Sequence, residues 1–392
     1  MNYLFRHRPP SHNRSRDNDL NLAGKTLTFG RYIVLAVCWA VSTTVPATTD
    51  SFEYRPSLLQ DEFYSEGWDQ LFYFTDGSLL VVQVTVTNIG LGNQHAGIIG
   101  MLVTPDGQRT MLKNSRSHGD WLFSDHALNL EIAGHRLSGS HPHYEIAIRK
   151  STGEIEVEFD AQAPPWRLGR SVEFDNEYHR ANFYAPLLTA HARYRFDPGG
   201  SANTTQWRQL SGGRGFAARY IYSTGIYKLV QSAMRIVAVE DAQLMPVIYV
   251  VRDARGGERT HLALFENGVL IHELQDFELT TQYAADPDHR ETPRKFYLNV
   301  KNEEFALNGA VRFERFLVRL DPVDMLKPHI RVFVKLLNTP IQYRYLARYD
   351  LNYIDKHGMR RLEGKAIMDY VVLRYSQKED EANNNDTNRS DP

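Results

Sequence analysis

The sequence predicts an all-β protein built as two tandem antiparallel barrels, and three observations carry that prediction. Apolar and polar residues alternate along short runs, as in Val82, Val84 and Val86 against Gln83, Thr85 and Thr87; a period of two buries one face of a strand and leaves the other polar. Gly, Asn, Asp and Pro punctuate these runs at roughly ten-residue intervals, as in all-β barrels and sandwiches. Several features then recur in the same order in the second half of the chain, which marks a duplication.

The strongest local signal lies between Trp68 and Thr104. The run Leu71–Phe74, the turn Thr75-Asp76-Gly77-Ser78 and the run Leu79–Asn88 form a hairpin signature, because an Asp-Gly step supplies the positive backbone angles of a tight turn. A second unit follows at once, with Gly97–Thr104 and Gln108–Lys113 flanking Pro105-Asp106-Gly107. Together they read as an antiparallel meander, the way up-and-down barrels are built. The runs His126–Ala133, His143–Lys150 and Glu154–Ala161 continue it, with Ser151-Thr152-Gly153 turning between the last two. In the last run Ile155, Val157 and Phe159 face one way, and Glu154, Glu156 and Glu158 form a solvated acidic face.

From Ala163 to Pro186 the period disappears around Pro164-Pro165-Trp166. A segment of that length without a pattern predicts a functional loop or lid. Residues 323–338 fit two patterns. Helical spacing groups Leu326, Ile330, Phe333, Val334 and Leu337, whereas strand spacing groups Ile330, Val332, Val334 and Leu336. As a helix the segment would carry Lys327, Arg331 and Lys335 opposite its apolar face, which suits packing on a barrel wall or contact with an anionic membrane surface. The runs Ile341–Asp355 and Arg361–Tyr375, with Lys356-His357-Gly358 between them, read as a closing hairpin.

The duplication rests on two matches. Leu128-Asn129-Leu130 precedes Gly139 at the interval by which Leu298-Asn299-Val300 precedes Gly309, and the Asp-Gly hairpin of Gly100–Gln108 is echoed by the Asn-Gly hairpin of Leu262–Leu270. An insertion around Thr280–Pro293 accounts for the drift in offset. The expected organisation is a β-domain over 52–210, which contains the 163–186 loop, and a second over 211–375. The tail 376–392 has too little apolar surface to fold.

The 392 residues are 42% apolar and 11% aromatic, a globular composition, and the net charge of -2 with interspersed signs points away from nucleic acid. Residues 1–31 are polar and basic, and Tyr32–Val45 form an apolar block too short for a good membrane span but suited to a signal-peptide core. Cleavage after Ala47, or retention of 1–47 as an anchor, would place the body outside the cytoplasm, in a bacterial periplasm or on the periplasmic face of the inner membrane. The sole cysteine, Cys38, sits in Leu35-Ala36-Val37-Cys38, which resembles a lipidation box with Val in place of a small residue. A chain cleaved at Ala47 has neither disulfide nor thiol nucleophile.

Five histidines, His118, His126, His135, His141 and His143, fall in one stretch, but no third ligand stands at fixed spacing, so no metal is expected. No serine elbow, phosphate loop or zinc-protease helix motif occurs, and no cofactor is expected. The aromatics are more suggestive. Trp121, Tyr184, Trp207, Phe216, Tyr220 and Tyr222 cluster around the irregular segments, and such side chains combine apolar area with a polar handle.

Four segments carry a resemblance: Trp68 with Phe72-Tyr73-Phe74 and Asp76-Gly77; Phe183–Phe196; the glycine-rich Ser211–Phe216; and Arg360–Leu373. Together they resemble the tandem lipocalin-like superfamily, which includes carotenoid 1,2-hydratases, AttH-like bacterial proteins, lipid-binding members and fungal cyclases. The resemblance spans roughly Phe52–Tyr375. It implies two small barrels side by side, with an isoprenoid or acyl ligand in or between them, and, by way of AttH-like proteins, a lipoprotein-type ABC exporter as partner. In the hydratase branch the glycine-rich element leads into an Asp-x-Glu-Trp signature whose carboxylates suit protonation of an alkene. Here Ala217-Ala218-Arg219-Tyr220 stand in that place, and Arg219 cannot donate a proton near neutral pH.

The expectation is therefore an exported protein that binds a hydrophobic small molecule, a lipid or isoprenoid, through Trp121, Tyr184, Trp207, Phe216, Arg219, Tyr220 and Tyr222. One alternative is a hydratase, isomerase or cyclase on a similar substrate. The other is a non-catalytic envelope assembly protein with solidly filled barrels. A buried acid or histidine in an open cavity would favour the enzyme, an apolar cavity with a polar rim the carrier, and a filled interior the assembly role.

Overall fold

Turn chemistry sets the register of the first sheet. In the computed structural model, which describes residues 55–89, 93–124, 127–197, 206–240, 243–285, 291–320 and 340–373, strands β1 (Ser65–Tyr73) and β2 (Leu79–Thr87) pair along their whole length. Between them the Phe74 N–H donates to the Ser78 carbonyl and the Gly77 N–H to the Phe74 carbonyl, with Gly77 at φ +88° and Asp76 outside the positive region. The Asp-Gly step therefore builds a type I turn ending in a glycine bulge, not a two-residue hairpin. Asp106-Gly107 repeats this between β3 (His95–Val103) and β4 (Arg109–Arg116). The second repeat differs: Asn267 and Gly268 both have positive φ, +49° and +81°, which makes a two-residue primed turn.

The first sheet continues through β5 (Trp121–Phe123), β6 (Leu128–Ile132), β7 (His135–Ser140), β8 (His143–Lys150), β9 (Gly153–Ala161), β10 (Trp166–Phe174), β11 (Glu177–Phe196) and β12 (Arg208–Tyr222). Its order is β4-β3-β2-β1-β12-β11-β9-β8-β7-β6-β5, with β10 added to β11. Pairing of the first strand with the last curls this antiparallel meander into a nearly closed barrel. The single helical turn Ile226–Leu229 leads to the second sheet: β13 (Val230–Ala238), β14 (Leu244–Asp253), β15 (Glu258–Glu266), β16 (Val269–Gln275), β17 (Glu278–Ala285), β18 (Glu291–Lys301), β19 (Phe305–Leu320), β20 (Pro340–Asp355) and β21 (Gly358–Leu373). Its order, β16-β15-β14-β13-β21-β20-β19-β18-β17, repeats the logic of the first in a half-barrel.

The repeated motifs occupy matching places. Leu128 pairs with Gly139 across β6 and β7, and Leu298 with Gly309 across β18 and β19, in each case next to an edge strand. The expected insertion falls in the long β17–β18 hairpin. The all-β class and the two-barrel architecture are as the sequence implied.

Two expectations need restating. The segment 163–186 is not a loop but the β10–β11 hairpin, closed at Asp175-Asn176, both at positive φ. Register shifts between Arg167, Arg170 and Val172 scramble the period that would have announced the strand. The boundary expected at 210 falls inside β12, so the Ser211–Phe216 element belongs to the first sheet and the chain changes sheets after Tyr222. His141 and Pro142 form the turn between β7 and β8. The 323–338 helix and the segments 1–47 and 376–392 lie outside the described residues.

Three apolar cores result. One is enclosed by the first sheet alone, around Trp68, Phe72, Tyr144 and Tyr184, and one by the second alone, around Phe296, Tyr345, Tyr349 and Tyr353. The third lies between the sheets and joins Leu71, Val81, Trp166, Phe183 and Phe216 to Val237, Val247, Phe265 and Ile367.

Gly309, at φ +147°, would direct a Cβ into the Asp350 carbonyl and to 2.8 Å from the Leu351 Cα; Gly139, at +135°, has the same relation to His143 and Tyr144. Gly107, at +85°, has open space around it. Urea unfolding should show Gly107→Ala losing only the roughly 1–2 kcal/mol cost of a left-handed residue. Gly309→Ala and Gly139→Ala should lose clearly more, because strain and backbone overlap add.

Candidate functional site

Strand β1 is buried on both faces. Trp68, Gln70 and Phe72 point into the first barrel, while Asp69 and Leu71 point at the second sheet. That parity places an acid between the barrels. Across it, Arg235 donates to Asp69 Oδ2 at 2.9 Å and also to Asp369 Oδ2. Arg344 Nε lies 3.3 Å from Asp369 Oδ1, and Gln83 Nε2 bridges Asp69 Oδ1 at 2.9 Å and Gln342 Oε1 at 3.0 Å. Two arginines and two aspartates thus meet in a buried interface; burial by itself would lower the pKa of the Arg235 guanidinium, but Asp369 and Asp69 outweigh it and hold that pKa above its ordinary value.

These residues are part of a longer row. In direct register across the second sheet stand Gln275, His261, Tyr249, Arg235, Asp369 and Arg344. Residues so paired present their side chains on one face, here the face turned to the first barrel. From the other side His179 meets the row: its Nε2 lies 2.7 Å from Tyr249 Oη, its Nδ1 3.2 Å from the Ile221 carbonyl, and its ring stacks on Tyr222 at 4.5 Å. A carbonyl only accepts, so Nδ1 carries the proton and Nε2 accepts from Tyr249. Burial pushes His179 down to about 3. His261, 4% exposed with neither ring nitrogen hydrogen-bonded, is pushed down by burial to about 4.

Open space lies farther along the same interface. A cleft of about 580 Å³ is lined from the first sheet by Gln162, Leu187, Leu188, Thr189 and Arg214. The second sheet adds Ala238, Gln243, Met245, Asn267 and Gly268. The Asn267-Gly268 turn leans so closely on the Gln162 carbonyl that a Cβ on Gly268 would overlap it, and Asn267 N–H donates to the Gln243 carbonyl at 2.9 Å. The lining offers aliphatic surface, amide and hydroxyl groups and one permanent cation. Among the described residues that line it there is no carboxylate, histidine or thiol, and none of those residues exchanges a proton near neutral pH. Among the described residues no group of three acidic, His or Cys side chains is placed to hold a metal.

The seven residues expected to bind ligand do not meet in this cleft. Trp121 and Tyr184 lie inside the first barrel, where the Trp121 indole donates to the Gln94 carbonyl at 2.9 Å and Gln70 donates to Tyr184 Oη at 2.6 Å. Trp207 sits outside, under the guanidinium groups of Arg193 and Arg195. Phe216, Tyr220 and Tyr222 do come together, on the face of β12 that covers the polar row, with Arg235 over the Phe216 ring at 5.2 Å. Arg219 points the other way, into the barrel, where it donates to Glu66 Oε1 at 2.6 Å and to the Arg55 carbonyl at 2.7 Å. Tyr64 and the Ser57 N–H hold the other oxygen of Glu66. Arg219 therefore pins the segment that precedes β1. Of the residues that do line the cleft, Leu187, Leu188, Thr189, Arg214, Asn267 and Gly268 lie in segments that stood out in the sequence, but none of them was among the residues expected to bind ligand.

No known family matches the chain by sequence, and no curated protein does either. Solved structures do match in fold. CghA, in a structure with Sch210972, shares a TM-score of 0.54 at 11% identity, over 80% of this chain and 89% of that one. A putative AttH from Nitrosomonas europaea shares 0.53 at 10% identity, over 83% and 98%. Both are tandem lipocalin-like proteins, and at such identities the likeness is one of fold.

Two outcomes follow from the buried row. Arg235→Met removes a cation shared by two buried acids, and denaturant unfolding should show a loss of about 3–5 kcal/mol, the usual effect of leaving a buried charge unpaired. Acid should weaken the fold through His179, His261 and His135, the last also pushed down by burial to about 4. Each binds its proton later in the folded than in the unfolded chain, whose histidines titrate near 6.5. Stability present above pH 6.5 is therefore lost as pH falls toward 4, by up to about 1.4 kcal/mol per histidine per pH unit. His261→Phe, which gives up no hydrogen bond, should flatten that slope in melts run from pH 7 to 4.5.

Proposed function

We propose that this is an exported binding protein that holds a hydrophobic small molecule with a polar end, a lipid or isoprenoid derivative, in the cleft between its two barrels. The observation that supports this best is the contrast between interiors and cleft. The first barrel is occupied by its own Trp68, Phe72, Tyr144 and Tyr184, each with at most 1% exposure. The inter-barrel cleft is open and lined by both aliphatic and hydrogen-bonding groups. Its volume suits a drug-sized ligand. Binding is favoured over catalysis because alkene protonation needs a protonated acid in the pocket, and the buried acids described above are engaged by arginines outside the cleft. Export is supported by the sequence of residues 1–47.

Filled barrels also favour the second reading, an envelope assembly protein that works through its surface and sheet edges. Organic extraction of protein purified from its native host, followed by mass spectrometry, separates the two. The binding reading expects an apolar molecule at near-stoichiometric yield, and about tenfold less from Met245→Trp, whose bulkier indole intrudes on the cleft. An empty wild-type extract, with partner chains copurifying instead, would overturn it.

A further inference from the structure

At one end of the second sheet two hairpin tips lie side by side. β20 and β21 pair along their whole length up to the Lys356-His357 turn, where Gly358 takes φ +121°, but β13 accompanies β21 only from Ala366 onward. Residues 358–365 therefore carry the hairpin past the neighbouring strand as an arm. Arg360 turns back from the arm to Glu266 at 2.6 Å and lies over the Tyr353 ring at 4.8 Å, while Tyr353 Oη meets His272 Nε2 at 2.9 Å. These contacts fix the arm against the β15–β16 hairpin, whose turn is Asn267-Gly268. Each tip holds an apolar side chain out in solvent: Met359 is 69% exposed and Val269 62%, and Ile354, directly opposite Met359, is 39% exposed.

We propose that this end of the second sheet docks on a lipid bilayer, with Met359 and Val269 entering the boundary between headgroups and acyl chains and Lys356 meeting lipid phosphate. A stable protein interface covers about 800 Å² per partner. Three apolar side chains on two narrow tips fall well short of that, whereas a bilayer closes around whatever enters it. The turn run Lys356-His357-Gly358-Met359-Arg360-Arg361 contains no acid. Arg361 is engaged by two bonds of 2.9 Å to Asp350, as Arg360 is by Glu266, but Lys356 is exposed and has no ion-pair partner among the described residues. The β18–β19 turn at the same end carries exposed Glu303 and Glu304, the latter 3.3 Å from His272. Apolar insertion is therefore the larger source of affinity, since burying one such side chain is worth roughly tenfold or more. Attraction of Lys356 to anionic lipid is the smaller, about fivefold. Asn267 and Gly268 line the cleft next to Val269, so docking sets the cleft beside the bilayer, but the proposal stands whether or not a ligand binds there.

A local fluorescent probe on the full-length protein tests this, because it separates contact at the tips from contact made by the apolar block 32–45. In a Cys38→Ser background, a nitrobenzoxadiazole label is placed on Met359→Cys, on Val269→Cys or, as control, on Leu122→Cys, a residue 65% exposed on the edge strand β5 of the first sheet. All three positions are exposed, so labelling leaves the cores intact. Vesicles of phosphatidylcholine with phosphatidylglycerol should shift the emission at 359 and 269 to the blue, and a spin label in the acyl chains should quench it there but not at 122. Met359→Asp, read by the probe at 269, should raise the lipid needed for half the change about tenfold. Lys356→Gln should remove the advantage of about fivefold that phosphatidylglycerol gives over phosphatidylcholine alone. No change at 359 and 269, an equal change at 122, or binding at 269 that survives Met359→Asp overturns the docking proposal. A shift that appears without lipid as protein concentration rises marks a second copy as the occupant and overturns it too. An advantage of anionic lipid that persists in Lys356→Gln overturns the role given to Lys356.

Discussion

The contact of Arg235 with Asp69 and Asp369 is the constraint on which the arrangement of this protein depends. Its members come from β13, β1 and β21, so it forms only when both sheets have their correct register and face each other in one way. The apolar core between the sheets supplies adhesion, but adhesion is tolerant of sliding. A buried acid is not, because displacement by one residue pair would leave it in hydrocarbon without a cation. The ion bridge therefore specifies how the barrels dock more than it adds to the strength of the docking.

That constraint also decides where open space remains. Bulky residues fill the barrel interior, and the polar row with its aromatic cover fills the middle of the interface. The layer of Val237, Val247 and Ala263 separates the row from the end of the interface, where small or flexible residues, Ala238, Gly268 and Met245, leave room. A ligand in that room would touch both sheets, so its binding would be coupled to their docking.

The sheets also reassign roles that composition suggested. Arg219 and Glu66 look like site residues by type, yet their contacts tie the chain before β1 to the barrel wall. His179 and His261 look like acid–base candidates, yet they are buried in the interface and burial holds them neutral. Burial without access is what turns reactive residue types into structural ones here.

The sequence by itself determined the strand class, most turn positions and the duplication, because period two, Asp-Gly steps and the two matched glycines act over a few neighbouring residues. It left β10 hidden, since register shifts erase the period that a straight strand would show. Only the tertiary structure decided which face of β1 meets which core, that Asp69 finds Arg235 across 166 positions of chain, and that the aromatics of β12 cover a polar row while a cleft opens elsewhere. Local patterns record whether a side chain is buried; what it is buried against depends on how two sheets dock, and no stretch of sequence contains both partners.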